Sequence, residues 1–197
     1  MPSENPFRVA LLAVIVLTMA VTVYHRLQAA ASGEQISRKE EGYVFAIALR
    51  LAGLGLWIAT FGYLFFPTSF QWASFPLPVW VRWIGGVNGT LCSLLMYWTL
   101  SSLGKNLTDT VVIRAKATLV THGPYRWVRH PFYVTAALLM ASVTLLTANW
   151  LIGVTSLIVL GLLVVRTPKE EAMLIERFGQ QYRDYMANTG RFIPWRR

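Results

Sequence analysis

Two groups of ionisable side chains stand out in this chain. The first is Arg129-His130-Pro131-Phe132-Tyr133, preceded by Gly123-Pro124-Tyr125; the second is Arg166 with Glu170 and Glu171. An imidazole can give or take a proton near neutral pH. A guanidinium offers a planar fork of donors to an anion, and a carboxylate can anchor a cation or serve as a general base. Neighbouring carboxylates on a helix point about 100° apart, so the spacing predicts that one of Glu170 and Glu171 faces a pocket while the other stays solvated. Pro131 suits the first position of a helix, and the start of that helix offers backbone amides and a partial positive charge to a bound carboxylate. Each residue also has a plainer reading. Arg126 and Arg129 would be membrane-flanking anchors, Tyr125, Trp127 and Tyr133 interfacial aromatics, and Arg166 with Glu170 a surface ion pair.

For the two groups to act together, the chain between them has to bring them to one place. The stretch from His130 to Val165 carries no Lys, Arg, Asp or Glu. As one helix it would run roughly 50 Å, well past a hydrocarbon core of about 30 Å. It is therefore read as two helices joined by a tight turn at Thr147-Ala148-Asn149. Such a hairpin returns Arg166 and Glu170 to the level of His130. Arg166 would end the second helix, and Lys169, Glu170 and Glu171 would open a new helical turn after Pro168.

The rest of the chain is as apolar as that hairpin. Of its 197 residues, 55% are hydrophobic and 14% charged, against about 25% charged in an ordinary soluble domain. Further apolar runs extend from Val9 to Leu27, from Tyr43 to Phe66 with Arg50 inside, and from Val79 to Leu100 with Gly85, Gly86 and Gly89, small residues that let helices approach closely in lipid. The fold class expected is an all-α integral membrane protein of five transmembrane helices, helices four and five being the tight hairpin, with a cytoplasmic C-terminal amphipathic helix carrying Leu174, Phe178, Tyr182 and Tyr185 on one face. Residues 1–197 read as a single multi-pass domain, with three N-terminal helices in 1–100 and a catalytic half in 101–197.

Charge gives the expected orientation. Most of the 18 Lys and Arg residues fall in the loops at 28–42 and 101–129 and in the tail, which five spans put on one side. That side is expected to be cytoplasmic, with the N-terminus outside. Ala29-Ala30-Ala31 resembles a signal-peptide cleavage site, but cleavage would put the basic loops outside, so the first helix is expected to be retained. The formal charge of +9 brackets apolar segments instead of lining one face, which speaks against nucleic acid as a partner. One cysteine, Cys92, leaves no disulfide or thiolate metal site within one chain, and no metal is expected.

Gly123-x-Tyr125-x-x-x-Arg129-His130-Pro131-x-Tyr133, then Arg166-x-x-x-Glu170-Glu171-x-x-Leu174, then Phe178-Gly179-x-x-Tyr182-x-x-Tyr185 through Thr189-Gly190-Arg191-Phe192-Ile193-Pro194 resemble the isoprenylcysteine carboxyl methyltransferase family. The likeness runs from Thr118 onward. Related phospholipid methyltransferases and some membrane sterol reductases share the Arg-His-Pro-x-Tyr core, which leaves an NADPH-dependent reductase as an alternative beside a non-catalytic membrane scaffold. The resemblance implies methyl transfer from S-adenosylmethionine to a lipophilic or lipidated acceptor without a Rossmann domain, and the chain has no G-x-G-x-x-G. It implies cofactor contacts at Ala117, Thr118, Leu119, Val120, Tyr125, His130, Pro131, Phe132, Tyr133 and Glu170, and places Arg166 toward the acceptor, with Arg166 and Glu170 as the catalytic pair. Ala117 stands where the family has a histidine, and Val134 where a small residue is frequent. The acceptor stays open among a carboxylate, a thiol and an amine. The membrane expected is the cytoplasmic one of a prokaryote or the endoplasmic reticulum of a eukaryote.

Overall fold

The computed structural model describes residues 4–30, 43–104 and 118–195, and among them the chain is helical. The helices are α1 (Asn5–Ala30), α2 (Tyr43–Phe65), the short α3 (Pro67–Phe70), α4 (Val79–Leu103), α5 (Pro131–Thr147), α6 (Trp150–Phe178) and α7 (Gln180–Asn188). Three of them, α1, α2 and α6, are long and apolar enough to cross a membrane. The 25-residue α4 is as long but carries Arg82 and Asn88, while α5 is apolar but only 17 residues long. α5 packs against α4, α6 and α1, and α2 leans on α6.

The distribution of side chains reverses that of a soluble domain. Val9, Val16, Leu51, Ile58, Leu91 and Leu157 are exposed, while Ser93, Thr99, Thr135, Ser142 and Asn149 are almost completely buried. Hydroxyl and amide groups join helices inside the bundle, Thr18 to Ser93 at 2.7 Å and Asn88 to Ser142 at 2.8 Å. In an apolar surrounding such groups do the adhesive work that burial of leucine cannot do, because lipid is as apolar as leucine. The glycines of α4 serve contacts within this bundle: a Cβ on Gly85 would lie 2.6 Å from the backbone nitrogen of Leu146 in α5, and one on Gly89 would lie 3.3 Å from Val14 of α1.

α5 and α6 fold back on each other through two residues. Ala148 takes a left-handed conformation (φ 47°), and the Asn149 side chain caps α6 by accepting from the Ile152 amide at 3.1 Å. His130 and Thr167 lie equally far from this turn along the chain, so the start of α5 and the second half of α6 come level with each other.

Three expectations need correction. Pro168 does not separate two helices; α6 runs through it as one 29-residue helix. The Thr167 hydroxyl donates to the Leu163 carbonyl at 2.9 Å beside the point where proline supplies no amide. The break comes later, at Gly179 with φ 56°, so Leu174 and Phe178 belong to α6 and Tyr182 and Tyr185 to α7. The supposed C-terminal amphipathic helix is thus the end of α6 plus a separate short helix.

At the far end from His130, Arg82 is buried and bonded on every side. It forms a fork with Glu4, both contacts at 2.7 Å, and donates to the Leu146 carbonyl at 3.0 Å and the Tyr63 hydroxyl at 3.1 Å. Phe7 lies beneath it, 3.6 Å from ring centre to guanidinium carbon. Arg8 donates to the Leu64 carbonyl. This clasp ties α1, α2, α4 and α5 together, and loss of the first helix would strip Arg82 of its carboxylate.

Candidate active site

The two ionisable groups named from sequence meet at the other end of the bundle. Pro131 opens α5 with His130 in the cap position, and His130 is buried against α6. Its Nε2 lies 3.2 Å from Oε1 of Glu171 and its Nδ1 3.7 Å from Oε2 of Glu170. The Tyr133 hydroxyl donates to Oε2 of Glu170 at 2.7 Å, and the Tyr133 ring stacks on His130, 5.5 Å between centroids and 12° between planes. A terminal nitrogen of Arg166 stands 3.9 Å from Oε1 of Glu170. At 3.7 and 3.9 Å these two approaches are electrostatic contacts rather than direct hydrogen bonds.

Neither carboxylate is simply solvated, contrary to the expectation for adjacent acids. The 100° between them brackets one imidazole, each acid taking one nitrogen. Their exposures differ: the Glu170 side chain is 22% accessible and that of Glu171 is 4%. Glu171 also accepts from Arg129 Nε at 3.0 Å and forms a fork with Arg191. Burial by itself would raise the Glu171 pKa, but hydrogen bonds from His130, Arg191 and Arg129 outweigh it and hold the carboxyl at about 2. Glu171 and Arg191 were not singled out by sequence reasoning as site residues, although both lie in the quoted motifs.

Several amides around the start of α5 are taken within the chain. The Arg129 amide donates to the Gly190 carbonyl at 2.8 Å and that of His130 to the Arg191 carbonyl at 3.1 Å, while Tyr133 and Val134 donate back to His130. The tail thus occupies the two amides just before the helix. Arg129 itself donates to the carbonyls of Met186 and Thr189. Beside it lies a cleft of about 430 Å³ lined by Arg129, Met186, Thr189, Arg191 and Trp195, among others.

Of the remaining named residues, Phe132 and Tyr125 adjoin this cluster. Pro131 is buried, and Phe132 packs partly buried against Ala29, Met96 and Leu100, joining the site to α1 and α4. Tyr125 is buried in the 3-10 turn Gly123–Arg126, its carbonyl accepting from the Tyr185 hydroxyl at 2.5 Å, and burial pushes its phenol up so that it stays neutral. Of the stretch before it, Val120 is buried, Leu119 half-buried and Thr118 exposed; Ala117 lies outside the described residues.

Residues 88–176, which contain both ionisable groups, match the isoprenylcysteine carboxyl methyltransferase (ICMT) family. The chain is 30% identical over 133 residues to protein-S-isoprenylcysteine O-methyltransferase of Tribolium castaneum, covering 58% of the chain and 43% of that protein. It is 35% identical over 77 residues to methanethiol S-methyltransferase of Mycobacterium tuberculosis, covering 38% of the chain and 30% of that protein. Each alignment thus spans less than half of the relative's length. The solved structure of the eukaryotic intramembrane Ras methyltransferase ICMT superposes over 94% of the chain and 68% of its own, with a TM-score of 0.56 and 25% identity. That neighbour is an intramembrane protein, and this chain has three helices long and apolar enough to cross a membrane.

Proposed function

We propose that this chain transfers a methyl group from S-adenosylmethionine to a lipophilic acceptor at the cytoplasmic face of a membrane. The observation that carries this reading is the convergence of Glu170, Arg166, Tyr133 and His130 at the junction of α5 and α6. In this reading α1, α2, α4, α5 and α6 each cross the membrane, with α5 and α6 as the hairpin and the C-terminus inside. The membrane is the cytoplasmic one in a prokaryote or the endoplasmic reticulum in a eukaryote.

The residues present fit the donor by their chemistry. Glu170 is an accessible acid whose Oε1 is approached by Arg166 only at 3.9 Å, which leaves acceptor capacity for a cationic group. His130, Tyr133 and Phe132 add flat faces beside it, and the resemblance adds Tyr125, Thr118, Leu119 and Val120 as further donor contacts. When bound, S-adenosylmethionine supplies an activated methyl on a sulfonium centre, so the protein has to supply alignment and a dry site. Tyr133 holds Glu170 in one rotamer by its hydroxyl. Arg166, buried at the end of the apolar part of α6, orients an anionic acceptor by charge-assisted hydrogen bonds. A carboxylate or thiolate acceptor needs no base, whereas an amine would have to lose a proton to Glu170 or His130.

An isoprenylcysteine-type carboxylate is the first acceptor class, after the family. The methanethiol S-methyltransferase relative favours a small apolar thiol as the second. The test is an acceptor screen with labelled methyl donor and purified full chain in nanodiscs, offering a prenylated cysteine, a small thiol and a phospholipid amine. Donor binding with transfer to one of these is the expected result. Absence of both donor binding and transfer overturns the reading, and turnover of a nicotinamide cofactor by the same preparation would replace it with the reductase.

A further inference from the structure

Glu171 has no part in the reaction as assigned, yet three segments share its carboxylate. Its Oε1 accepts from Arg129 at the start of α5 and from Arg191 after α7, lies 3.2 Å from His130 Nε2, and its Oε2 takes a second donor of Arg191. The backbone joins the same segments, through the Arg129 and His130 amides bonded to the carbonyls of Gly190 and Arg191. A Cβ at residue 190 would lie 1.9 Å from the Ile193 carbonyl oxygen, so only glycine permits the sharp fold of the chain there. Residues 189–195 thereby form a strap across the first turn of α5, and Phe192 of the strap meets the His130 ring at 5.8 Å.

A buried ion pair is an inefficient way to gain stability, since well-packed apolar residues often do as well. What it contributes is direction. The Glu171 carboxylate fixes the edge of His130 that faces away from Glu170, and it ties the strap to the helix that carries Glu170. We propose that Glu171 is a positioning residue that locks the 189–195 strap and the His130 ring in one arrangement beside Glu170, making no contact with donor or acceptor. The effect on donor binding rests on the methyl-transfer reading; the effect on the strap does not.

The experiment compares Glu171→Gln, Arg191→Gln, their double variant and Glu170→Gln with the unmodified chain in nanodiscs. Hydrogen exchange is followed by mass spectrometry in the peptides holding the Arg129 and His130 amides and the strap, and KM for S-adenosylmethionine and kcat are measured in parallel. Glu171→Gln is expected to speed exchange in those peptides about tenfold and to raise the donor KM about tenfold with kcat within about threefold. Arg191→Gln reproduces the exchange change, and the double variant goes no further than either single. Glu170→Gln leaves strap exchange as it was while losing transfer. Unchanged strap exchange in Glu171→Gln overturns the proposal, as does a fall in kcat at constant KM, which would make Glu171 a reacting group. Should Glu171→Gln fail to fold, Arg191→Gln decides, because Arg191 is half-exposed and its loss leaves the interior intact; wild-type exchange there overturns the proposal. An unmodified chain that binds no S-adenosylmethionine defeats the methyl-transfer reading instead, and the exchange comparison still decides whether Glu171 holds the strap.

Discussion

The bundle has an arginine-carboxylate cluster at each end, and they are built differently. At one end, Arg82 has a single acid, Glu4, whose oxygens take two donors of the guanidinium and the Tyr63 hydroxyl at 2.7 to 2.8 Å. All three nitrogens of Arg82 are used, and the assembly is closed. At the other end two acids meet one histidine and three arginines. Glu171 is saturated there, but among the described residues Glu170 accepts a hydrogen bond from Tyr133 and is approached by Arg166 and His130 at 3.9 and 3.7 Å. An acid held in place with acceptor capacity to spare is what a cationic ligand requires, and a saturated pair is what helix packing requires. The difference separates a fastening from a site, although both read in sequence as charges flanking apolar helices.

The comparison breaks most readily at Glu170. Replacement by Gln keeps the shape and removes the charge, and is expected to reduce methyl transfer by about 100-fold while thermal unfolding stays within about 0.5 kcal/mol. If activity is unchanged and stability falls, Glu170 is a fastening as well. The clasp should behave in the opposite sense. Glu4→Ala leaves the buried Arg82 without its acid, and a loss of about 2 kcal/mol in stability is expected, with transfer per folded molecule changed less than about twofold. Unfolding in nanodiscs together with specific activity checks both arms.

How far the two ends were legible in sequence follows from the same contrast. The site end was announced by local spacing: Arg129-His130-Pro131-x-Tyr133 sits just before an apolar run, and Arg166 to Glu171 just after it. The turn at Ala148-Asn149 could be placed because no single helix of that length fits a bilayer. The clasp had no such signal. Glu4 precedes α1 while Tyr63 and Arg82 lie in α2 and α4, and only the packing of these helices reveals that the three share one point. The strap was hidden for a related reason: Arg191 is 20 residues from Glu171 with a helix break at Gly179 between them, and the long helix through Pro168 ran against the usual reading of proline as a terminator.

Tyr133 sharpens the contrast by a smaller amount. Tyr133→Phe retains the ring stacked on His130 and deletes the Tyr133 hydrogen bond to Glu170. About 1.4 kcal/mol of alignment is at stake, which is a roughly tenfold loss of transfer with little change in unfolding. A loss equal to that of Glu170→Gln would mean that the phenol itself touches a reacting atom.

The smallest effect concerns pH, and the part carried by the Glu4 and Glu171 carboxyls lies below the working range. The Glu171 carboxyl is held at about 2 against an ordinary value of 4.5, and Glu4 is also lowered, chiefly by its hydrogen bond from Arg82. A carboxyl whose pKa is depressed on folding adds stability that is fully present above its unfolded value and is lost as pH falls through the folded one. For Glu171 the window is therefore from about 4.5 down to about 2. Between pH 7 and about 5 the Glu4 and Glu171 carboxyls keep their charge, so neither contributes a change in unfolding temperature there. Below that range the unmodified chain loses stability while Glu171→Gln, having no acid there to protonate, loses less. A fall in the unmodified chain centred between pH 5 and 7 would show that neither Glu4 nor Glu171 governs it, and equal acid sensitivity with and without the Glu171 charge would remove the strap from the account.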